Sequence, residues 1–189
     1  PRINIYPSMF IRDITNEFKK WAAKPSRKPL ILRGARQVGK TTAVNLFSKD
    51  FDQYIYLNLE KEEQREIFER TYPFPDLITT LFIFAQKQRS GGKTLIFIDE
   101  IQNSPRAIAL LRYFYEEAND LFVIAAGSLL DSIMGRNISF PVGRVEYMAL
   151  RPCSFREFLF ATNNDQLLEM LEKPEVPEFL HTQYIALFK

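Results

Sequence analysis

Gly34, Gly39, Lys40 and Thr41 satisfy the spacing G-x-x-x-x-G-K-[ST] within Gly34-Ala35-Arg36-Gln37-Val38-Gly39-Lys40-Thr41-Thr42. That combination of residue types suits a row of phosphates. Glycine at each end lets the backbone take conformations closed to residues with a Cβ, so successive N–H groups can turn inward around an anion. A helix opening at Lys40 would add unpaired amides and the positive end of its dipole. The lysine, expected to point into a solvated loop, can reach the terminal phosphates of a nucleoside triphosphate, and the threonine hydroxyl can ligate magnesium. The bland alternative is a strand-to-helix turn that only happens to read GKT. The flanks argue against it, because Leu30-Ile31-Leu32 reads as a strand and 41–48 as a helix.

A second group of residues supplies the remaining chemistry. Leu95-Ile96-Phe97-Ile98 is an apolar run ending in Asp99-Glu100, the pattern of a strand buried on both faces that delivers two acids at its carboxyl end. Asp99 suits the acid that orients magnesium. Glu100 suits a general base that polarises an attacking water. Acids are also common at helix starts, which is the structural reading of the same pair. Ser128 follows Gly127 after another apolar strand, Leu121 to Ala126. In sheets of this type that strand lies between the phosphate-loop strand and the Asp99 strand, so Ser128 would stand near the γ-phosphate, unless it is only a turn former. Arginine is the other expected ingredient, since charge builds on a transferred phosphoryl group. Arg144 precedes the fifth strand, at the end away from the phosphate loop. It could serve only a neighbouring subunit's nucleotide, and an ion pair at the strand start is the alternative. Arg151, at the far end of that strand, is the candidate in cis.

The elements that must position these residues alternate in kind. Residues 12–23 place Ile14, Phe18, Trp21 and Ala22 at helical spacing. Lys24-Pro25-Ser26-Arg27-Lys28-Pro29 breaks the chain before the first strand. Strands are expected at 53–59, 95–98, 121–126 and 145–150. Helices are expected at 61–70, 76–89, 105–119 (capped by Ser104, with Pro105 in its first turn), 129–134, 154–160, 165–172 and 176–189. The pattern predicts an α/β fold, three layers around a mostly parallel five-stranded sheet. The domain plan is an N-terminal segment with an amphipathic helix at 1–28, a core at 29–162 and a helical beginning of a further region at 163–189. The chain begins at Pro1 and stops within an apolar-periodic stretch holding Phe179, Leu180, Tyr184, Leu187 and Phe188. A longer protein is therefore expected.

Composition narrows the class. One histidine and one cysteine, Cys153, among 189 residues allow neither an internal disulfide nor a His/Cys metal cluster, and fit a reducing, cytoplasmic setting. No apolar run approaches the roughly 20 residues of a membrane-spanning helix, so no membrane partner is expected. Net charge is +2, yet residues 1–50 hold 11 Lys/Arg against 3 Asp/Glu. That basic lobe could touch nucleic acid, although several of its charges belong to the phosphate loop and others to a solvated helix. Asn-Lys-x-Asp, which reads guanine in GTPases, is absent from the sequence.

The chain resembles a prokaryotic AAA+/STAND-type P-loop ATPase family. The phosphate loop, Leu95 to Gln102, Ala126-Gly127-Ser128, and Gly143-Arg144-Val145 with Pro152-Cys153-Ser154-Phe155-Arg156-Glu157-Phe158 carry the likeness, in that order over about residues 30–160. The resemblance implies sheet order 5-1-4-3-2, with ATP and Mg2+ as ligands and a C-terminal domain that would mediate homo-oligomers or partner contacts. By analogy, adenine is expected against the N-terminal segment, near Ile5, Tyr6 and Ile11. The leading expectation is ATP hydrolysis driving a switch or a remodelling step. The alternatives are a nucleotide-gated DNA- or protein-binding module with little turnover, and a small-molecule kinase. The kinase lacks support because Arg136, Arg144 and Arg151 are too scattered for a lid.

Overall fold

The computed structural model describes residues 12–128 and 140–171. The helices expected at 129–134 and 176–189, together with Ile5, Tyr6, Ile11 and Arg136, lie outside these. The described residues divide into two compact units, one spanning Ile14–Pro152 and another joining residues 12–13 with residues 153–171.

In the larger unit, β1 (Leu30–Arg33), β2 (Gln53–Asn58), β3 (Thr94–Asp99), β4 (Phe122–Gly127) and β5 (Glu146–Ala149) form one sheet. Its order is β2-β3-β4-β1-β5, and every neighbouring pair is parallel. This is the expected order, with β4 standing between β1 and β3. Because side chains alternate across a strand, the sheet feeds two apolar layers. Ile31, Ile55, Leu57, Ile96, Ile98, Val123 and Ala125 face α3 (Glu62–Glu69), α4 (Phe74–Phe84) and α5 (Pro105–Glu117). Leu30, Leu32, Leu95, Phe97, Phe122, Ile124 and Ala126 face α1 (Ile14–Ala22) and α2 (Lys40–Phe47). β3 and β4 are buried along their whole length, as the continuous apolar runs required.

Both layers are tied at their ends. Phe18, Trp21, Phe47, Phe51 and Phe122 form a chain of ring contacts at 4.9–6.5 Å between centroids, and the Trp21 indole N–H donates to the Lys28 carbonyl at 2.8 Å. Ser104 caps α5 by accepting from the Ala107 amide at 3.0 Å, with Pro105 in the first turn. Helix α4 starts and stops earlier than the sequence pattern suggested, at Phe74 and Phe84 rather than 76 and 89. Its end is set by Gln86, which enters the left-handed region at φ 54° while the Lys87 amide closes onto the Phe82 carbonyl at 2.9 Å. Such a left-handed residue terminates a helix as a glycine cap does.

The smaller unit contains α6 (Phe155–Ala161) and α7 (Asp165–Leu171). Ser154 and Glu157 form a reciprocal capping box at the start of α6. The same Glu157 carboxylate accepts from the Asp13 amide and the Arg12 guanidinium, each at 2.9 Å. Burial pushes the Glu157 pKa up, but these hydrogen bonds outweigh it and hold the group below the usual glutamate range. No described helix is long and apolar enough to cross a membrane.

Candidate active site

The phosphate loop joins the carboxyl end of β1 to the first residue of α2, and its two fixed glycines serve different needs. Gly39 sits at φ 94°, ψ 23° immediately before the helix, a left-handed conformation that a side chain disfavours. At Gly34 the constraint is space. A Cβ there would stand 2.3 Å from the Leu150 carbonyl oxygen, which follows β5. Gln37 is also left-handed, at φ 64°.

Lys40 departs from the sequence expectation of a side chain pointing into a solvated loop. It is 7 % exposed, and its ammonium donates to the Gly34 and Ala35 carbonyls, each at 2.9 Å. The reason is geometric: the loop curls around the first turn of α2, so its carbonyls offer acceptors where phosphate oxygens would otherwise lie. Burial lowers the Lys40 pKa, and the Glu100 and Asp99 carboxylates oppose that shift.

The strands bring the second group of residues to the same place. The Thr41 hydroxyl donates to Asp99 Oδ2 at 2.7 Å, although β4 separates their strands. Asp99 Oδ1 accepts from the Glu100 amide at 3.1 Å. Burial raises the Asp99 pKa, against the opposing pull of these two hydrogen bonds. Glu100 takes a left-handed backbone, φ 51° and ψ 44°, and starts the turn Ile101–Asn103. A cavity of about 270 Å³ is lined by Arg36, Gln37, Gly39, Lys40, Thr41, Thr42 and Glu100.

Of the other expected residues, Ala35 takes part through its carbonyl and Val38 lies against the position a Gly34 side chain would fill. Ser128 directly follows β4, at the carboxyl end of the sheet where the loop lies. Arg144 is placed elsewhere in the unit, since it precedes β5 at the amino end of the parallel strands. There its guanidinium pairs with Glu116 at 2.8 Å, and Arg112 shares that carboxylate at 2.9 Å. Arg151 follows β5 at the opposite end.

Two polar residues near the acids escaped the sequence reading. The Tyr56 hydroxyl stands 3.4 Å from Asp99 Oδ2, and burial first, then Asp99, pushes its pKa up to about 12. Strand register could have found it, because Tyr56 pairs with Phe97 and Asn58 with Asp99 across β2 and β3. Gln102 donates its amide to Glu100 Oε2, for which the sequence carries no periodic signal.

Comparison with known proteins settles the family: one described as "AAA domain" matches residues 26–159. The chain belongs to the AAA domain family. This AAA domain is 31 % identical over 94 residues to a replication factor C large subunit of Methanocorpusculum labreanum, a stretch covering 49 % of the chain and 18 % of that protein. In fold it is similar to a chain in a structure of Drosophila ORC bound to DNA, with a TM-score of 0.55 and 16 % identity over 92 % of this chain and 53 % of that one. The AAA domain thus spans only part of each. Its three layers and strand order are those of a P-loop NTPase. The residues also fit the ligands such a fold implies. One hydroxyl and one carboxylate meet at the pocket, and no cluster of three His, Cys, Asp or Glu able to hold a metal occurs among the described residues. A magnesium ion there would complete its shell with water and phosphate oxygens, as it does at nucleotide sites.

Proposed function

We propose that this AAA domain binds ATP with Mg2+ and hydrolyses it, and that the cycle works as a switch or remodelling step. The hydrogen bond from Thr41 to Asp99 carries the reading, because it joins the phosphate loop to the acidic end of β3 beside the cavity that Thr41 and Glu100 line. In this reading Gly34–Thr42 hold the phosphates through backbone N–H groups. Lys40 exchanges its two carbonyl partners for phosphate oxygens, while Thr41 and Asp99 would hold the metal. When bound, the ion draws charge from the phosphate oxygens and so favours displacement at phosphorus. Glu100, lining the cavity, accepts the proton of the attacking water. Arg36 also lines the cavity and makes no ion pair among the described residues, which leaves its charge available to the terminal phosphate. Ser128 stands where a hydroxyl could order the attacking water.

Assembly and client binding enter by likeness. One similar protein is a subunit by name and another was seen bound to DNA. They support a homo-oligomer or a partner protein, and make duplex DNA the first client to test. Phosphate release without an added acceptor tests the reaction. The expected result is magnesium-dependent release that Glu100→Gln abolishes while ATP still binds, whereas Asp99→Asn weakens magnesium-dependent binding too. Release at the parent rate from Glu100→Gln would remove the base assigned here.

A further inference from the structure

The proposed base is held by a neighbour that the reaction itself does not need. Glu100 and Gln102 sit on one rigid turn. Ile101 is fully buried, the Asn103 amide closes on the Glu100 carbonyl at 3.1 Å, and the Ser104 amide closes on the Ile101 carbonyl at 3.0 Å. From that turn Gln102 reaches back, and its side-chain amide donates to Glu100 Oε2. Only the NH2 end can face an ionised carboxylate, since the oxygen end would repel it. The oxygen end is consequently stranded: Gln102 Oε1 is buried with no hydrogen-bond partner. A buried acceptor left unsatisfied is costly. A methionine of similar length would fill the space without that cost, so the polarity of Gln102 serves its bond to Glu100 alone.

We propose that Gln102 is a positioning residue for the Glu100 carboxylate. By occupying Oε2 it fixes the torsion of the carboxylate and leaves Oε1, which no described residue engages, for the attacking water at the cavity Glu100 lines. An uncharged donor does this without neutralising the base as an arginine or lysine would. The inference rests on Glu100 acting as that base.

The test is single-turnover hydrolysis, with the chain in excess over radiolabelled ATP, alongside binding of a fluorescent ATP analogue. Gln102→Met should lower the single-turnover rate by about 10–100-fold, the usual range when a supporting partner of a catalytic group is lost. The nucleotide Kd should stay within twofold and the melting temperature should not fall. Gln102→Asn, which keeps an uncharged amide donor on a shorter arm, should recover part of the rate. Should the methionine variant not fold, Gln102→Leu supplies the same loss of donor. In a Glu100→Gln background, Gln102→Met should add no further loss. A rate within twofold of the parent for Gln102→Met overturns the inference while leaving Glu100 as base. Parent-like hydrolysis by Glu100→Gln overturns the base assignment instead, and a loss of nucleotide affinity equal to the loss of rate assigns Gln102 to the structure of the loop.

Discussion

In the proposed reading, Lys40 meets ATP already occupied. Its two carbonyl bonds must be exchanged for phosphate contacts, so part of the attraction for ATP is offset by bonds given up. Lys40→Ala should still lower ATP affinity at least tenfold by titration calorimetry, since hydrogen bonds to charged groups contribute about 1.5–3 kcal/mol. It should also lower the melting temperature of the nucleotide-free chain by about 2–4 °C, because the loop loses its internal tie. Unchanged melting would show that the two carbonyls are equally well served by water. Gly34 offers a sharper case. The Leu150 carbonyl is backbone and cannot swing away from an added Cβ, so Gly34→Ala should cost about 1–3 kcal/mol in denaturant unfolding even without nucleotide. Gly143→Ala is a useful contrast, having a positive φ of 76° but open space around it. The glycine spacing was readable from sequence, but the reason for Gly34 was not. Its neighbour is over a hundred residues away, and no local pattern encodes such an approach. Lys40 was misread for the same kind of reason, since the acceptors that bury it exist only once the loop has curled.

At the scale of elements, strand identity was legible because continuous apolar runs bounded by turn residues have few other uses. The sheet order came from the family likeness rather than from hydrophobic periodicity, which says which face is buried but not which strand lies beside which. Helix ends were less legible, as α4 shows: Gln86 is not a residue type that announces a left-handed cap. Helix α6 makes the related point from its start. Ser154 and Glu157 form a capping box, and the box carboxylate also takes two donors from Arg12 and Asp13, about 144 residues earlier in the chain. Replacing Glu157 by Gln should therefore cost about 1.5–3 kcal/mol at neutral pH, seen as faster amide exchange in α6. The sign of its pH dependence follows from its lowered pKa. The stabilisation is fully present above the unfolded value of about 4.3 and is lost as pH falls through the lower folded value. Parent and variant should converge in acid, and a gap that stays constant to below pH 3 would show that packing, not charge, is lost.

For the whole molecule, the placement of Arg144 decides what a single chain can do. Its ion pair with Glu116 lies at the amino end of the strands, the phosphate loop at the carboxyl end, so within one chain the two do not meet. We expect an isolated chain to bind ATP and turn it over slowly, with specific activity rising as concentration promotes assembly. Arg144→Ala should remove that rise if the arginine serves a neighbour's nucleotide. A fast rate, flat over a hundredfold dilution and insensitive to Arg144→Ala, would assign the residue to the surface ion pair alone. Duplex binding, if the basic lobe at residues 1–50 provides it, should weaken steeply with salt, and an absence of binding at low salt would dismiss it.

Trp21 gives the molecule an optical handle. It is the single tryptophan of the sequence, 2 % exposed, with its ring edge-on to Phe122 at 6.1 Å and tilted against Phe47 at 6.5 Å. Phe47 is the last residue of α2, whose first two residues are Lys40 and Thr41. Tryptophan emission therefore originates from one layer of the larger unit, with no contribution from any second indole. A movement of α2 when its amino end takes up phosphate would alter the packing around the fluorophore at its other end, so nucleotide uptake could be followed in the unlabelled chain.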